Sequence, residues 1–112
     1  MATSSPTQRA LWHLRDDGWT AQVVERWNQY AKVRQDLFGV IDIVAMREGT
    51  GILGVQATSG SNHSTRVKKI IASTEAHVWV KSGAELWVMS FEKKKGRYIT
   101  RIEEIDSSYF AR

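Results

Sequence analysis

The chain has 112 residues, 42% hydrophobic, 10% aromatic and 25% charged, the balance of one globular domain with its own core and not of a disordered or fibrous chain. It has no cysteine, which excludes disulfide scaffolds, thiolate zinc sites and cysteine nucleophiles. Sixteen Lys and Arg against twelve Asp and Glu leave a net charge of +4, a bias toward polyanions and toward nucleic acid before membrane.

No apolar run approaches the ~20 residues that span a bilayer, and the small polar opening Met1 to Thr7 lacks the pattern of a signal peptide. A soluble, cytoplasmic protein with no membrane partner is the expectation. No repeat, linker or low-complexity tract divides residues 1–112, which read as a single domain.

In chain order, Ser5-Pro6 is an N-cap followed by proline at the first helical position, and Gly18 is a natural stop. The spacing of Ala10, Leu11 and Leu14 predicts a helix over Pro6 to Asp17. Thr20 to Trp27 is rich in β-formers without helical periodicity and reads as one strand. Asn28 to Gly39 is polar until Leu37 and Phe38. Val40 to Met46, an almost wholly apolar run, reads as a strand covered on both faces, and Ile52 to Thr58 is similar. Between them Arg47-Glu48-Gly49-Thr50-Gly51 has hairpin turn chemistry. Ser59 to Asn62 is a loop ending in N-cap residues, and Val67, Ile70 and Ile71 predict a helix after it. Glu75 to Lys81 either continues that helix or starts another. Leu86 to Phe91 and Tyr98 to Ile105 read as strands around Lys93-Lys94-Lys95-Gly96. The order α-β-β-β-α-β-β predicts an α/β fold, a mixed sheet flanked by helices.

Asp42 stands in the middle of an apolar strand, where an ionised carboxylate is costly without a partner or a metal. Gln56 is the polar exception in the next strand. A turn centred on Gly49 pairs residues whose numbers sum to 98, which sets Asp42 directly opposite Gln56, their Cβ atoms about 4.5–5.5 Å apart. Two oxygens at that spacing would share a cation; a buried Asp–Gln hydrogen bond is the plainer alternative. Asp36, in the loop feeding this strand, and Glu25, on the preceding strand, would each add a carboxylate to the same corner, or be no more than solvated charges. At the helix opening near Asn62, Arg66 and Lys69 share a face and Lys68 is adjacent. With Thr58, Ser59 and Ser61 they would hold a phosphate beside an Asp42–Gln56 metal, or form an ordinary basic helix face. Lys93, Lys94, Lys95, Arg97 and Arg101 make a second basic cluster suited to DNA or merely to solubility. His13, His63 and His77 show no ligand spacing, and no GxSxG, P-loop or GxGxxG occurs.

The stretch Asp36-Leu37-Phe38-Gly39-x-x-Asp42-Ile43-Val44-Ala45, then Gly54-Val55-Gln56-x-Thr58-Ser59-x-Ser61-Asn62, resembles the small PD-(D/E)xK nucleases of the Holliday-junction-resolvase type, including short phage and prophage proteins. In that superfamily an Asp begins a β-hairpin and an acidic-x-Lys triplet follows about a dozen residues later. Asp42 takes the Asp position and Gln56-Ala57-Thr58 the triplet. The resemblance runs from the first helix to the Tyr98 strand and implies a restriction-endonuclease-like αβββαβ core. Gln56 departs from the usual Asp or Glu, Thr58 from the lysine, and the first helix lacks the Glu that related resolvases carry.

The resemblance implies a metal-dependent, structure-specific DNA endonuclease. Asp42, Gln56, the Ala57 carbonyl and Asp36 or Glu25 would hold Mg²⁺ or Mn²⁺, and Lys68 or Lys69 would supply the migrated lysine. Thr58, Ser59, Asn62, Arg66, Lys94 and Lys95 would contact DNA. Cutting both strands of a four-way junction implies a two-fold homodimer, with Trp79, Trp87 or Phe110 as exposed interface aromatics. The competing readings are a non-catalytic nucleic-acid-binding module on the same fold, which the missing lysine favours, and a basic structural protein in which Asp42–Gln56 is only a buried hydrogen bond.

Overall fold

The computed structural model describes residues 4–110; the first three residues of the polar opening segment and the last two of the chain lie outside them. Helix α1 spans Pro6–Asp16, one residue shorter than the periodicity predicts. Ser5 Oγ accepts from the Gln8 N–H at 3.1 Å, and Gly18, at φ +86°, takes the chain out of the helix. Ala10, Leu11 and Leu14 form its buried face.

Strands β1 (Thr20–Val23), β2 (Arg26–Asn28), β3 (Val33–Gln35), β4 (Ile43–Arg47) and β5 (Gly51–Ser59) follow, then helices α2 (His63–Ile71) and α3 (Thr74–Lys81), then β6 (Glu85–Lys94) and β7 (Arg97–Glu104). The main sheet has the order β1-β4-β5-β6-β7. Only β5 and β6 run parallel, joined through α2 and α3. The result is a five-stranded mixed sheet flanked by helices. The β4–β5 register pairs Ile43 with Val55, Val44 with Gly54 and Arg47 with Gly51, the pairing expected of a turn about Gly49.

Two expectations need correction, and one alternative is decided. Thr20 to Trp27 is not one strand. β1 follows β4 only from Thr20–Met46 to Val23–Ile43, and the Val24 N–H adds a last bond to the Asp42 carbonyl at 2.8 Å. Beyond it β4 has no more strand to offer, because residues 37–41 fold back on themselves. The chain leaves the sheet, and Arg26, Trp27 and Asn28 pair instead with Gln35, Arg34 and Val33 in a separate two-stranded arm. The apolar run from Val40 enters the sheet only at Ile43, and its far end is one-sided, with Met46 half exposed. Of the two alternatives for Glu75 to Lys81 the second holds: a new helix starts there, the chain breaking at Ala72-Ser73, where Ser73 Oγ caps α3 by accepting from the Ala76 N–H.

Each face of the sheet has its own core, assigned by strand alternation. Leu53, Val55 and Ala57 of β5 pack with Met89 and Phe91 of β6 against α1. On the opposite face Leu86 and Val88 pack with Ile41, Ile70 of α2 and Ala76 of α3. Gly54, Gln56 and Thr58 lie on this second face. A Cβ at Gly54 would fall 2.9 Å from Ile41 Cδ1 and 3.0 Å from Trp79 Cζ2, so glycine is what lets the Ile41 segment close over β5. Among the described residues no helix is long and apolar enough to cross a membrane.

Candidate metal centre

Asp42 is pinned from two sides before β4 begins. Its N–H donates to the Val55 carbonyl and its own carbonyl accepts from Val24, both at 2.8 Å. The side chain is 3% exposed, and its Oδ2 accepts from the Ala57 N–H at 2.9 Å and from Gln56 Nε2 at 2.8 Å. The predicted opposition of Asp42 and Gln56 is thus a direct contact.

Asp36 reaches the same point through the tight turn that follows it. Leu37 and Ile41 bridge each other, the Gly39 N–H donates to the Asp36 carbonyl at 3.0 Å, and Phe38 and Gly39 both take positive φ. A phenylalanine at φ 55° is held against its own preference, as the turn needs two successive left-handed residues to bring Asp36 over Asp42. Gln56 Nε2 also donates to Asp36 Oδ2, at 3.4 Å. Glu25 enters from the point where the chain leaves β1. Carboxylate oxygens of Glu25, Asp36 and Asp42 all lie within 4.8 Å of one another.

Three carboxylates this close repel by roughly 3–4 kcal/mol per ionised pair at an effective dielectric near 20. Burial first, then the hydrogen bond and the charge of Asp36, push the Asp42 carboxyl up to about 8 against the pull of the Ala57 and Gln56 donors. Among the described residues, two cationic groups sit beside the cluster in ion-pair distance: Arg34, 3.6 Å from Glu25, and Lys69, 4.0 Å from Asp36. Gln56 is 2% exposed, and its Oε1, on the same amide that touches both aspartates, is buried with no hydrogen-bond partner. Three carboxylates at this spacing are the donor chemistry of a hard divalent cation, and Gln56 would add its amide oxygen once the amide turns that atom toward them in place of Nε2; these residues fit such an ion.

The cluster opens into a cavity of about 480 Å³. Thr58, Ser59, Asn62, Arg66 and Lys69 line it from the β5–α2 side, Glu25 from the segment after β1, Arg34 from the arm, and Pro6 and Thr7 from the start of α1; Ala57 also borders it. Ten sequence-predicted residues therefore converge: Glu25, Asp36, Asp42, Gln56, Ala57, Thr58, Ser59, Asn62, Arg66 and Lys69. Lys68 does not join them. It is exposed on another side of α2, and both it and Lys69 belong to the last turn of that helix and not to its anion-attracting first turns. Lys94 and Lys95 are exposed at the β6–β7 tip. They stand at the same end of the sheet as the cavity, since parallel β5 and β6 point the same way and β6 continues past the Ser59–Phe91 pair.

Trp79, Trp87 and Phe110 are partly buried and held by internal contacts, not the open aromatics that the interface reading expects. Trp79 donates its indole N–H to the Glu85 carbonyl at 2.7 Å, Trp87 packs edge-on against Trp19, and Phe110 stacks on His77. Two features escaped the sequence reading. One is Arg34, whose strand is visible only once it pairs with β2. The other is His63, 1% exposed, whose Nδ1 lies 2.7 Å from Ser90 Oγ and Nε2 2.9 Å from Glu103 Oε1. Tyr109 OH donates to the other Glu103 oxygen at 2.8 Å. Burial would raise the Glu103 carboxyl, but the bonds from His63 and Tyr109 outweigh it and hold it below the usual range. This network clasps the start of α2 to β6 and β7, and so fixes the helix that carries Arg66 and Lys69.

Comparison of the chain with protein-family models, with curated proteins and with solved structures returns no match in any of the three.

Proposed function

We propose that this protein is a metal-dependent endonuclease of the PD-(D/E)xK kind, hydrolysing phosphodiester bonds in branched DNA as a homodimer. The observation that carries this reading is the meeting of the Glu25, Asp36 and Asp42 carboxylates beneath a basic rim, with the Gln56 amide bonded to both aspartates and its own oxygen unpartnered. The element order from α1 through the three strands β1, β4 and β5 to the helices and β6 agrees with the αβββαβ core, with Asp42 at the head of the hairpin and Gln56-Ala57-Thr58 on its second strand.

In this reading Asp42, Asp36, Gln56 and the Ala57 carbonyl hold Mg²⁺ or Mn²⁺, with Glu25 beside them. The cation, when bound, acidifies a water and offsets the charge of the phosphate being attacked. Lys69, within 4.0 Å of Asp36, would take the part of the missing motif lysine and stabilise charge on the phosphate. Arg66, Ser59 and Asn62 orient the strand along the cavity rim. The decisive experiment is cleavage of a synthetic four-way junction with Mg²⁺ or Mn²⁺, beside Mn²⁺ titration of the wild type and Asp42→Asn. Metal-dependent cleavage lost with Asp42→Asn supports the proposal. A wild type that binds DNA but is inert with both metals on junction, flap and single-stranded substrates overturns it in favour of the non-catalytic binding module, the reading that buried Thr58 in the lysine position favours.

A further inference from the structure

The β2–β3 arm belongs to neither core. Its ten residues Arg26 to Gln35 contain Arg26, Lys32 and Arg34 and no acidic side chain. Its large side chains face solvent: Trp27 is 57% exposed and Tyr30, at the tip, 91%. The tip is nevertheless ordered. Asn28 Oδ1 accepts from the N–H groups of Tyr30 and Ala31 at 2.9 and 3.0 Å, and Asn28 Nδ2 donates to Gln35 across the strands. An aromatic, cationic hairpin held in shape by its own hydrogen bonds and packed on nothing has no structural reason to be aromatic.

Its position supplies one. Trp27 lies directly opposite Arg34 in the arm's register and so shares its face. Arg34 is 3.6 Å from Glu25 and borders both the cavity of the acidic cluster and a neighbouring one of about 830 Å³, where Arg26, Asp36, Phe38 and Lys69 also stand. A strand whose phosphate lies in the acidic cavity would pass along the arm, its backbone beside Arg34 and Arg26 and its bases against Trp27 and Tyr30. Alternation of cations with exposed rings is the chemistry that holds unpaired nucleotides, since rings stack on bases only where the bases are not already stacked in a duplex.

Resting on the nuclease reading above, we infer that the β2–β3 arm binds single-stranded nucleotides flanking the scissile phosphate, with Trp27 and Tyr30 as stacking platforms. The charge of the arm argues against a second copy of this chain as its occupant, because two such arms brought together would add +3 to +3.

The test is fluorescence anisotropy in EDTA, so that no cleavage and no metal enters it. The probes are a blunt duplex, the same duplex with a single-stranded fork, and the isolated single strand. The wild type is expected to prefer the forked and single-stranded probes. The double variant Trp27→Ala, Tyr30→Ala should lose about fivefold or more in affinity for these, the scale of one stacked base, and keep its duplex affinity. Arg26→Ala and Lys32→Ala should weaken all three probes alike. Equal thermal unfolding of wild type and double variant shows that the fold is intact. The inference is overturned if the double variant binds forked DNA like the wild type, or if light scattering shows a dimer that the double substitution splits. A protein that prefers forked DNA yet never cleaves overturns the nuclease reading alone. One that cleaves while its DNA binding ignores both substitutions overturns this inference alone, and one that binds no DNA overturns both.

Discussion

Gln56 donates its amide N–H to Asp42 Oδ2 at 2.8 Å across the β4–β5 register, while its own Oε1 is left buried and unpartnered. The amide hydrogens thus go to two crowded carboxylates, and the oxygen of the same amide finds no donor. That imbalance gives Asp42 two distinguishable roles, ligand or hydrogen-bond acceptor.

Asp42→Asn separates them. Asparagine is nearly isosteric and its oxygen still accepts from Ala57 and Gln56, so the variant should fold and keep its DNA affinity. Mn²⁺ binding and metal-dependent cleavage should disappear. Circular dichroism with calorimetric Mn²⁺ titration checks both halves; an unfolded variant would make Asp42 a purely structural residue.

The pH dependence of stability carries a definite sign. Asp42 ionises near 8 in the folded protein against an ordinary 3.8, so between these values the native state holds a proton the unfolded chain has released. Its stabilising contribution is complete below pH 4 and is lost as pH rises toward 8. Glu103, held below its ordinary 4.5, acts oppositely, but only at more acid pH. Thermal unfolding in EDTA should therefore show Tm falling from pH 5 to pH 8, and the fall should vanish in Asp42→Asn. A flat wild-type profile would mean that the carboxylate cluster is open to water.

Gln56→Glu should tighten Mn²⁺ binding by adding a fourth carboxylate, and lower the Tm in EDTA by adding charge where a proton is already held. Metal should then raise the Tm of the variant more than that of the wild type. Equal Mn²⁺ affinities would remove Gln56 from the ligand set.

The Asp42–Gln56 pairing was legible because a hairpin register is local: the turn about Gly49 dictates every pair on the two strands. The convergence of Arg66 with Lys69 was legible for the same reason, since residues three apart share a helix face, whereas Lys68 lies about 100° around it. The arm was not legible. Thr20 to Trp27 is a continuous run of β-formers, and what breaks it is the place where β4 ceases to offer a partner, a fact about residues nearly twenty positions later. The fate of the tryptophans was hidden likewise. Trp27 is exposed and Trp79 and Trp87 packed because of which faces the helices cover, and composition does not distinguish them.

Gly54→Ala tests the packing that holds the site together. The added methyl meets Ile41 at 2.9 Å and Trp79 at 3.0 Å, an overpacking that typically costs about 1–3 kcal/mol. The Tm should fall by several degrees. Because Ile41 precedes Asp42, metal affinity should weaken as well, even where the variant is fully folded. Unchanged Tm and affinity would mean that the Leu37–Ile41 turn shifts freely over β5.

The lysines divide by position. Lys69 borders the acidic cavity 4.0 Å from Asp36, Lys68 points elsewhere from the same turn, and Lys94 and Lys95 stand at the hairpin tip. If Lys69 stabilises phosphate charge during cleavage, Lys69→Ala should slow single-turnover cleavage by about 10²–10³, the scale of losing one stabilising donor in a water-poor site. Affinity measured in Ca²⁺ should change little. Lys68→Ala should do neither. Lys94→Ala and Lys95→Ala should leave the cleavage step alone and weaken binding slightly, each lowering the slope of log affinity against log salt by about 0.9 where a phosphate contact is lost. Removing Lys69 also removes a counter-charge from Asp36, so its effect on Mn²⁺ affinity must be measured beside the rate. A loss of rate with metal binding unchanged or tighter assigns Lys69 to the phosphate. A loss that excess Mn²⁺ restores assigns it to holding the carboxylate cluster, and equal rates for Lys68→Ala and Lys69→Ala would give neither lysine the part of the missing motif residue.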